Sequence, residues 1–279
     1  MNAELTILCE NTVARPLGLI GEHGFSCLIE TAGHGSFLFD TGQGLGLARN
    51  ADVLGKNLAD LRGIVLSHGH FDHSGGLPAA LKKCGPVDVF AHPEVFLPRC
   101  WAGRHEQRSN GLPYGREELE ALGARFVPVT RLTEPASGLF LSGEVPRTTS
   151  FETGDPHLFL GPEKDRPLRP DPFLDDLSLA MTTDRGLVVL LGCAHAGMVN
   201  ILEHFRSGTG CDRVHVVLGG THLAPAGAEQ FAETVRYLKE RNVERIGVSH
   251  CTGLSRGAEL MRELPGKVFF ANVGSTFHI

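Results

Sequence analysis

Two stretches of this chain share one pattern, a strand, a short turn and a second strand, and this repetition most limits the fold. The stretches are FSCLIETAGHGSFLFDTG and LSLAMTTDRGLVVLLGCA. Each continues through a polar loop and a helix-like segment into another apolar strand. Asp40 in the first half falls where Cys193 falls in the second, and His70 falls near His222. This weak duplication predicts an α/β fold in which two mixed sheets pack face to face with helices outside.

The middle of the chain, from about residue 93 to about residue 172, breaks this pattern. It is rich in Pro, Gly and Arg, and its hydrophobic periodicity is weak. We predict a single domain spanning residues 1–279, with an irregular insertion at about 93–172 that acts as a lid over the site.

Charge and cysteine usage exclude several classes of protein. The net charge is -6 and no basic cluster is present, which argues against a nucleic-acid partner. The N-terminal segment does not resemble a signal peptide, and no apolar run approaches the roughly 20 residues of a membrane span. The 7 cysteines form no CxxC pair. We therefore expect reduced thiols, a cytoplasmic location and a small-molecule partner, whereas the sequence leaves the oligomeric state open.

The segment SHGHFDHSGG, at residues 67–76, carries the strongest chemical signal. Alternate residues of an extended loop point to the same side, so we expect His68 and His70 to bind one metal ion. Asp72 and His73 would then face a neighbouring position. Imidazole and carboxylate ligands suit zinc, iron or manganese. The alternative is a histidine-rich turn without a chemical role, but crowding four ionisable groups after a buried strand is costly without a cation.

The HxHxDH pattern after an apolar strand, preceded by a hairpin that ends in LFDTG, resembles the metallo-β-lactamase superfamily. This resemblance implies an αββα sandwich and a site for one or two metal ions. The segments GEVPRTTSFE, DDLSLAM, GCAHAGMVNIL, GGTHL and SHCTG resemble its dihydropteroate-synthase-like branch. That branch includes proteins named 7,8-dihydropterin-6-methyl-4-(β-D-ribofuranosyl)aminobenzene-5′-phosphate synthase, and the name implies pterin chemistry.

The resemblance also implies further ligands in the second half of the chain. His195 is the leading candidate for the middle histidine, with a substrate-binding loop residue as the alternative. Cys193 stands where the family often has a bridging acid, and its alternative role is that of a small buried apolar residue. His222 and His250 both end strands, and chain order leaves open which of them is the last ligand.

Other residues are weaker candidates. The usual second-half histidine is absent ahead of DDLSL, so Asp175 or Asp176 could replace it. Asp40 is expected to orient a metal-bound histidine, or to be an ordinary turn residue. Arg147 could bind a substrate phosphate or carboxylate, or lie on the surface. The remaining histidines, including His23, are interpreted as turn or surface residues, and His92 as structural.

Together these features predict a metal-dependent hydrolase, or a related transferase, that holds two divalent ions. Zinc is favoured over manganese and iron. Asp72 would bind the second ion and carry the proton of the attacking water. A di-iron oxygen or nitric-oxide reductase is an alternative, but that family has a carboxylate where this chain has His70. A non-enzymatic, metal-loaded binding protein and a nuclease are further alternatives.

Overall fold

The strands of the chain form three sheets in the computed structural model, which describes residues 1–161 and 167–279. The strands are β1 (Ala3–Cys9), β2 (Ser26–Thr31), β3 (Gly35–Phe39), β4 (Leu61–Val65), β5 (Val87–Ala91), β6 (Arg99–Ala102), β7 (Gln107–Ser109), β8 (Ala124–Pro128), β9 (Thr133–Ala136), β10 (Leu139–Leu141), β11 (Leu158–Leu160), β12 (Arg169–Pro170), β13 (Leu179–Thr183), β14 (Gly186–Leu191), β15 (Val214–Gly220), β16 (Arg245–Ser249), β17 (Val268–Phe270) and β18 (Thr276–His278). The helices are α1 (Leu47–Val53), α2 (Phe71–Ser74), α3 (Leu77–Cys84), α4 (Arg116–Ala121), α5 (Met198–Thr209), α6 (Ala228–Glu240) and α7 (Leu254–Glu263).

The two large sheets have matching topologies. The first has the order β18-β1-β2-β3-β4-β5-β8, and the second has the order β17-β16-β15-β14-β13-β10-β9. In each half an antiparallel hairpin, β2–β3 or β13–β14, is followed by a parallel crossover to β4 or β15. The duplication predicted from the sequence is therefore present in the strand connections.

Alternate residues of the central strands point to opposite faces, which places the core between the sheets and beneath the helices. In β14, Val188 and Leu190 pack against the first sheet, whereas Val189 and Leu191 pack under α5, α6 and α7. On the outer face of the first sheet, α1 and α3 cover strands β3, β4 and β5. The predicted αββα sandwich is confirmed.

Residues 93–172 contribute to all three sheets. Strand β8 extends the first sheet, and β9 and β10 extend the second. The third sheet, in the order β12-β11-β6-β7, is drawn entirely from this segment. Residues 162–166 of the predicted insertion lie outside the described residues. Within the described part of the chain, no helix combines the length and the apolarity that a membrane span requires.

Candidate metal centre

The candidate site lies where strands of both large sheets end. His68 follows β4 and Cys193 follows β14, while His222 and His250 follow β15 and β16. Parallel strands of one sheet end at the same edge, so the topology brings these side chains together. Asp40 directly follows β3, next to β4. The fold thus gathers residues that are far apart in the sequence.

The HxHxDH motif passes from an extended loop into a short helix. His70 is extended, with φ -76° and ψ 144°, and α2 begins at the next residue. Because successive helical residues point about 100° apart, Asp72 and His73 face different neighbours. Asp72 Oδ2 lies 3.2 Å from His23 Nε2 and 3.3 Å from His250 Nε2. His73 Nε2 lies 3.2 Å from both Cys193 Sγ and His250 Nε2.

Three imidazoles form the first group of potential ligands. The ligand atoms of His68, His70 and His195 all lie within 4.8 Å of one another, and all three residues are buried. Burial lowers the pKa of His68 and His195 well below the ordinary value and that of His70 to about 3. These rings are therefore neutral at pH 7, which is the form that binds metal ions.

Two neighbours fix the rings of this group. Phe173 stacks on His195, with ring centroids 3.9 Å apart and an interplanar angle of 11°. Asn110, which follows β7, lies with its Nδ2 atom 3.2 Å from His70 Nε2. His195 Nε2 is buried and has no hydrogen-bond partner among the described residues. A cation bound between this nitrogen and the imidazoles of His68 and His70 would supply the missing partner.

Asp40 and Ser67 hold the rings of the motif from behind. Asp40 Oδ2 lies 2.7 Å from His73 Nδ1, and it accepts a hydrogen bond of 2.7 Å from the Ser67 hydroxyl. Ser67 Oγ in turn lies 2.8 Å from His68 Nδ1. Burial disfavours a charge on His73, but Asp40 and Asp72 raise its pKa to about 9. The negative field that favours a proton on His73 favours any cation there.

The second group of potential ligands contains sulfur. Cys193, His250 and Cys251 place their ligand atoms within 4.8 Å of one another, and Cys193 also groups with His195 and His222. Asp155 Oδ2 lies 3.6 Å from His222 Nε2. Burial opposes protonation of His222, but the Asp155 carboxylate and Cys251 raise its pKa to about 10. The structure thus brings both His222 and His250 to the site and leaves both as candidate ligands.

Asp175 and Asp176 are buried, but they face backbone and arginine groups. Asp175 Oδ2 accepts a 2.9 Å hydrogen bond from the Gly69 amide, and its Oδ1 lies 2.7 Å from Arg99 Nη2. Asp176 Oδ2 accepts from the Ala196 amide at 2.8 Å. Burial raises the pKa of each carboxyl to about 6, although Arg99 lowers that of Asp175 and the Ala196 amide lowers that of Asp176. These contacts support the loops that carry His68, His70 and His195.

Backbone strain concentrates at this site. In the described residues the non-glycine positions with positive φ include Asp40 (58°), His222 (52°) and His250 (47°), besides Phe173 and Ala194. Such conformations cost of order 1–3 kcal/mol each and persist where the surrounding structure imposes them. The backbone is also tightly packed at Gly192, where a Cβ atom would lie 2.2 Å from Ser67 Oγ.

A cleft of about 520 Å³ opens onto these side chains, and the third sheet forms one of its walls. Trp101 on β6 pairs with Arg108 on β7, and the guanidinium of Arg108 packs 4.9 Å from the Trp101 ring centroid. Both residues line the cleft. Within residues 1–161 and 167–279, Arg108 forms no ion pair. The Arg108 guanidinium therefore places a positive charge in the lining of the cleft.

Arg147 lies outside this cleft lining. Its side chain is exposed and donates a 3.2 Å hydrogen bond from Nη2 to the carbonyl of Pro172. Burial raises the pKa of Glu152 and of Asp176, and the charge of Arg147 offsets part of each rise, so this charge acts near the site without lining the cleft.

Sequence reasoning missed several residues of the site. His23, interpreted as a turn residue, reaches Asp72, and Cys251, Asp155, Asn110, Trp101 and Arg108 were not singled out. Of these residues, Cys251 alone carried a signal in the sequence, because it directly follows the candidate ligand His250. The others reach the site through contacts between distant segments.

The residues present fit metal ions. Neutral imidazoles, thiols and a carboxylate are the donors that zinc and iron prefer, and they converge in a buried pocket that a solvent cleft reaches. His68, His70 and His195 would hold one ion, and Asp72, His73, Cys193, His222 and His250 are the candidates for a second.

Known proteins match this chain in sequence and in fold. The family model described as the metallo-β-lactamase superfamily matches residues 20–250. The chain is 30% identical over 270 residues to the 7,8-dihydropterin-6-methyl-4-(β-D-ribofuranosyl)-aminobenzene-5′-phosphate synthase of Methanocaldococcus jannaschii, covering 94% of this chain and 92% of that protein. An uncharacterized protein of the same organism is 30% identical over 253 residues, covering 89% and 90% of the two chains.

A solved structure matches over nearly the whole chain. The crystal structure of Tm1679, a metal-dependent hydrolase of the β-lactamase superfamily, superposes with a TM-score of 0.83 at 30% identity and covers 99% of both chains.

Proposed function

The chain belongs to the metallo-β-lactamase superfamily, and from this premise we propose that it is a metal-dependent hydrolase, or a related transferase, acting on a small anionic molecule. The observation that carries the proposal is the convergence of His68, His70 and His195 at the floor of an open cleft. His195 Nε2 has no hydrogen-bond partner among the described residues. Burying such a polar atom costs free energy unless a ligand binds to it.

Two divalent cations, with zinc favoured over manganese and iron, fit the donors of the site. When bound, such ions polarise a substrate oxygen and make a water molecule more acidic. The chain's own residues then have separate tasks. His68, His70 and His195 hold the first cation, while Asp40 keeps His73 oriented through its Nδ1 atom.

Asp72 is the proposed proton carrier. Its carboxylate lies in the cleft lining, and it has His23 and His250 as neighbours. Burial works against ionisation of Asp72, but the charge of His73 and hydrogen bonds from His23 and His250 hold its pKa well below the usual range. An ionised carboxylate at the cleft floor is able to accept a proton from a nucleophile and pass it to His23, which is exposed to solvent.

The third sheet is the proposed substrate cover, which gives the segment at about 93–172 its role. The Arg108 guanidinium, held on Trp101, would bind a phosphate or carboxylate of the substrate, and the Trp101 edge offers apolar contact to a ring. A phosphate-bearing pterin compound suits these groups, and the name of the Methanocaldococcus jannaschii relative supports that class.

The same relative supports the transferase version. Its name describes a synthase, whereas Tm1679 is described as a hydrolase. In the transferase version the cations would bind a leaving diphosphate and the cleft would admit an organic nucleophile.

The seven cysteines are all unpaired in the structure, which supports the proposed cytoplasmic location.

The test begins with protein stripped by a chelator and reloaded with zinc, manganese or iron. We expect activity against a panel of phosphodiesters, lactones and pterin diphosphates to vanish on stripping and to return with metal. His68→Ala should abolish it, and His34→Ala, at an exposed turn, should not. Full activity after complete metal removal would contradict the proposal, and metal binding without turnover of any compound would favour a binding protein.

A further inference from the structure

We propose that Cys251 is a metal ligand together with Cys193 and His250, so that the second cation site is rich in thiolate. This inference rests on the proposed metal-dependent function and goes beyond it by adding a ligand. It also assigns a metal class to that site, namely thiophilic ions such as Zn²⁺ or Fe²⁺ in preference to Mg²⁺ or Mn²⁺.

The first observation is the position of the three ligand atoms. Cys193 Sγ, one ring nitrogen of His250 and Cys251 Sγ lie within 4.8 Å of one another, so a single ion could touch all three after small rotations of the side chains. Both cysteines and His250 also line the cleft. An ion at this position is therefore reachable from solvent and by a substrate.

The second observation is the way in which the backbone presents Cys251. His250 adopts a positive φ of 47° at the end of β16, and this bend begins a short 3₁₀ turn at His250–Thr252. The turn directs the thiol towards β14 and β15, where Cys251 Sγ lies 3.6 Å from the Cys193 carbonyl oxygen. The sulfur also accepts a 3.3 Å hydrogen bond from the His222 amide.

A glycine keeps this space open. A Cβ at Gly220, the last residue of β15, would lie 2.6 Å from Cys251 Sγ and 2.3 Å from the carbonyl oxygen of Gly192. The close approach of Cys251 to strands β14 and β15 therefore depends on the absence of a side chain there. The bend at His250 and the absence of a side chain at Gly220 together allow the Cys251 thiol to lie at this position.

The environment of Cys193 and Cys251 differs from that of Cys9 and Cys27. Cys9 and Cys27 lie in the apolar packing of the first sheet, as buried thiols commonly do. Cys193 and Cys251 lie among imidazoles, with His73 Nε2 3.2 Å from Cys193 Sγ. Two sulfurs and neighbouring imidazole nitrogens are the donor set that selects zinc or iron over hard oxygen-seeking cations.

The experiment is a titration of the metal-free protein with Co²⁺, because cobalt bound to thiolate gives a charge-transfer absorption in the near ultraviolet that oxygen and nitrogen ligands do not give. We expect the wild type to show this absorption, and Cys193→Ser and Cys251→Ser each to lose about half of its intensity. Cys211→Ser, which changes a partly exposed cysteine just after α5, should keep all of it.

A second measurement on unaltered protein covers the case in which a serine variant does not fold. Iodoacetamide labelling is followed by mass spectrometry with and without bound Zn²⁺. We expect zinc to protect Cys193 and Cys251 and to leave labelling of Cys84 and Cys211 unchanged.

The outcomes separate this inference from the proposed function. Cobalt binding with visible ligand-field bands but no thiolate absorption, or full absorption in folded Cys251→Ser, overturns the assignment of Cys251 and leaves the metal-dependent function standing. Cobalt binding at no site overturns both. Equal labelling of Cys251 with and without zinc likewise overturns the assignment.

Discussion

The Asp40 carboxylate lies behind His73, with Oδ2 2.7 Å from Nδ1, and so leaves His73 Nε2 to face Cys193 and His250. A buried carboxylate in this position fixes the orientation of the ring and makes it a better donor to a cation. The same oxygen accepts a hydrogen bond from Ser67, the residue before His68. One side chain thus holds two histidines of the motif.

We therefore expect Asp40→Asn to lower zinc affinity by about 10- to 100-fold while the fold is kept, because the amide retains the shape but not the charge. Competition with a chromophoric zinc chelator measures this affinity. The matched control is Asp52→Asn, whose carboxylate pairs with the exposed Lys83 and should leave the affinity unchanged. Equal affinity in Asp40→Asn and wild type would contradict a supporting role for Asp40.

The sequence was sufficient for the sandwich and for the first part of the site. The repeated strand-turn-strand pattern predicted the facing sheets, and the compact spacing of His68, His70, Asp72 and His73 made the motif visible without a structure. These features are local, so the residues that express them are neighbours in the chain.

The rest of the site depends on contacts that no local pattern encodes. His250 Nδ1 lies 3.0 Å from Asn11 Oδ1, across 239 positions of sequence, and His23 reaches Asp72 from a loop that was interpreted as an ordinary turn. Trp101 and Arg108 enter the cleft only because β6 and β7 pair within a third sheet. That sheet was hidden in the weak periodicity of residues 93–172.

Arg108 provides a test of substrate class. We expect Arg108→Gln to weaken binding of phenyl phosphate to the zinc-loaded protein by about 10- to 100-fold, since a hydrogen bond to a charged group contributes about 1.5–3 kcal/mol. Titration calorimetry measures this change, and benzyl alcohol, which lacks a charge, should bind both proteins equally weakly. Arg104→Gln, an exposed neighbour outside the cleft lining, is the control. Unchanged phosphate affinity in Arg108→Gln would remove Arg108 from substrate recognition.

The metal-free protein should lose stability as the pH falls from about 7 to about 5.5. Burial depresses the pKa of His68, His70 and His195 in the folded chain, whereas unfolded histidines take up protons near pH 6.5. The unfolded state then binds more protons, so each of these histidines costs about 1 kcal/mol of stability per pH unit below that value. His73 and His222, whose pKa values are raised, and Asp175 and Asp176, whose pKa values are about 6, bind more protons in the folded state than in the unfolded state over this range, so they oppose part of this loss.

Urea unfolding of chelated protein at several pH values measures this slope. His70→Leu should show a smaller slope than wild type, and His34→Ala should match wild type because His34 is exposed. Equal slopes for His70→Leu and wild type would mean that His70 is not held neutral by burial.

Arg99 connects the third sheet to the loop that carries the two leading histidines. Its side chain is almost fully buried, Nε lies 2.8 Å from Asp171 Oδ2, and Nη2 lies 2.7 Å from Asp175 Oδ1. Asp175 uses its other oxygen to hold the Gly69 amide, between His68 and His70.

Arg99→Met would leave two buried carboxylates without their cation, and breaking a buried pair in this way costs about 3–5 kcal/mol. We expect a clear fall in the thermal midpoint, and the double variant Arg99→Met/Asp175→Asn should regain part of it because one stranded charge is removed. Arg125→Met, which breaks an exposed pair with Asp88, should change the midpoint little. If Arg99→Met is as stable as Arg125→Met, the third sheet does not anchor the HxH loop through this ion pair.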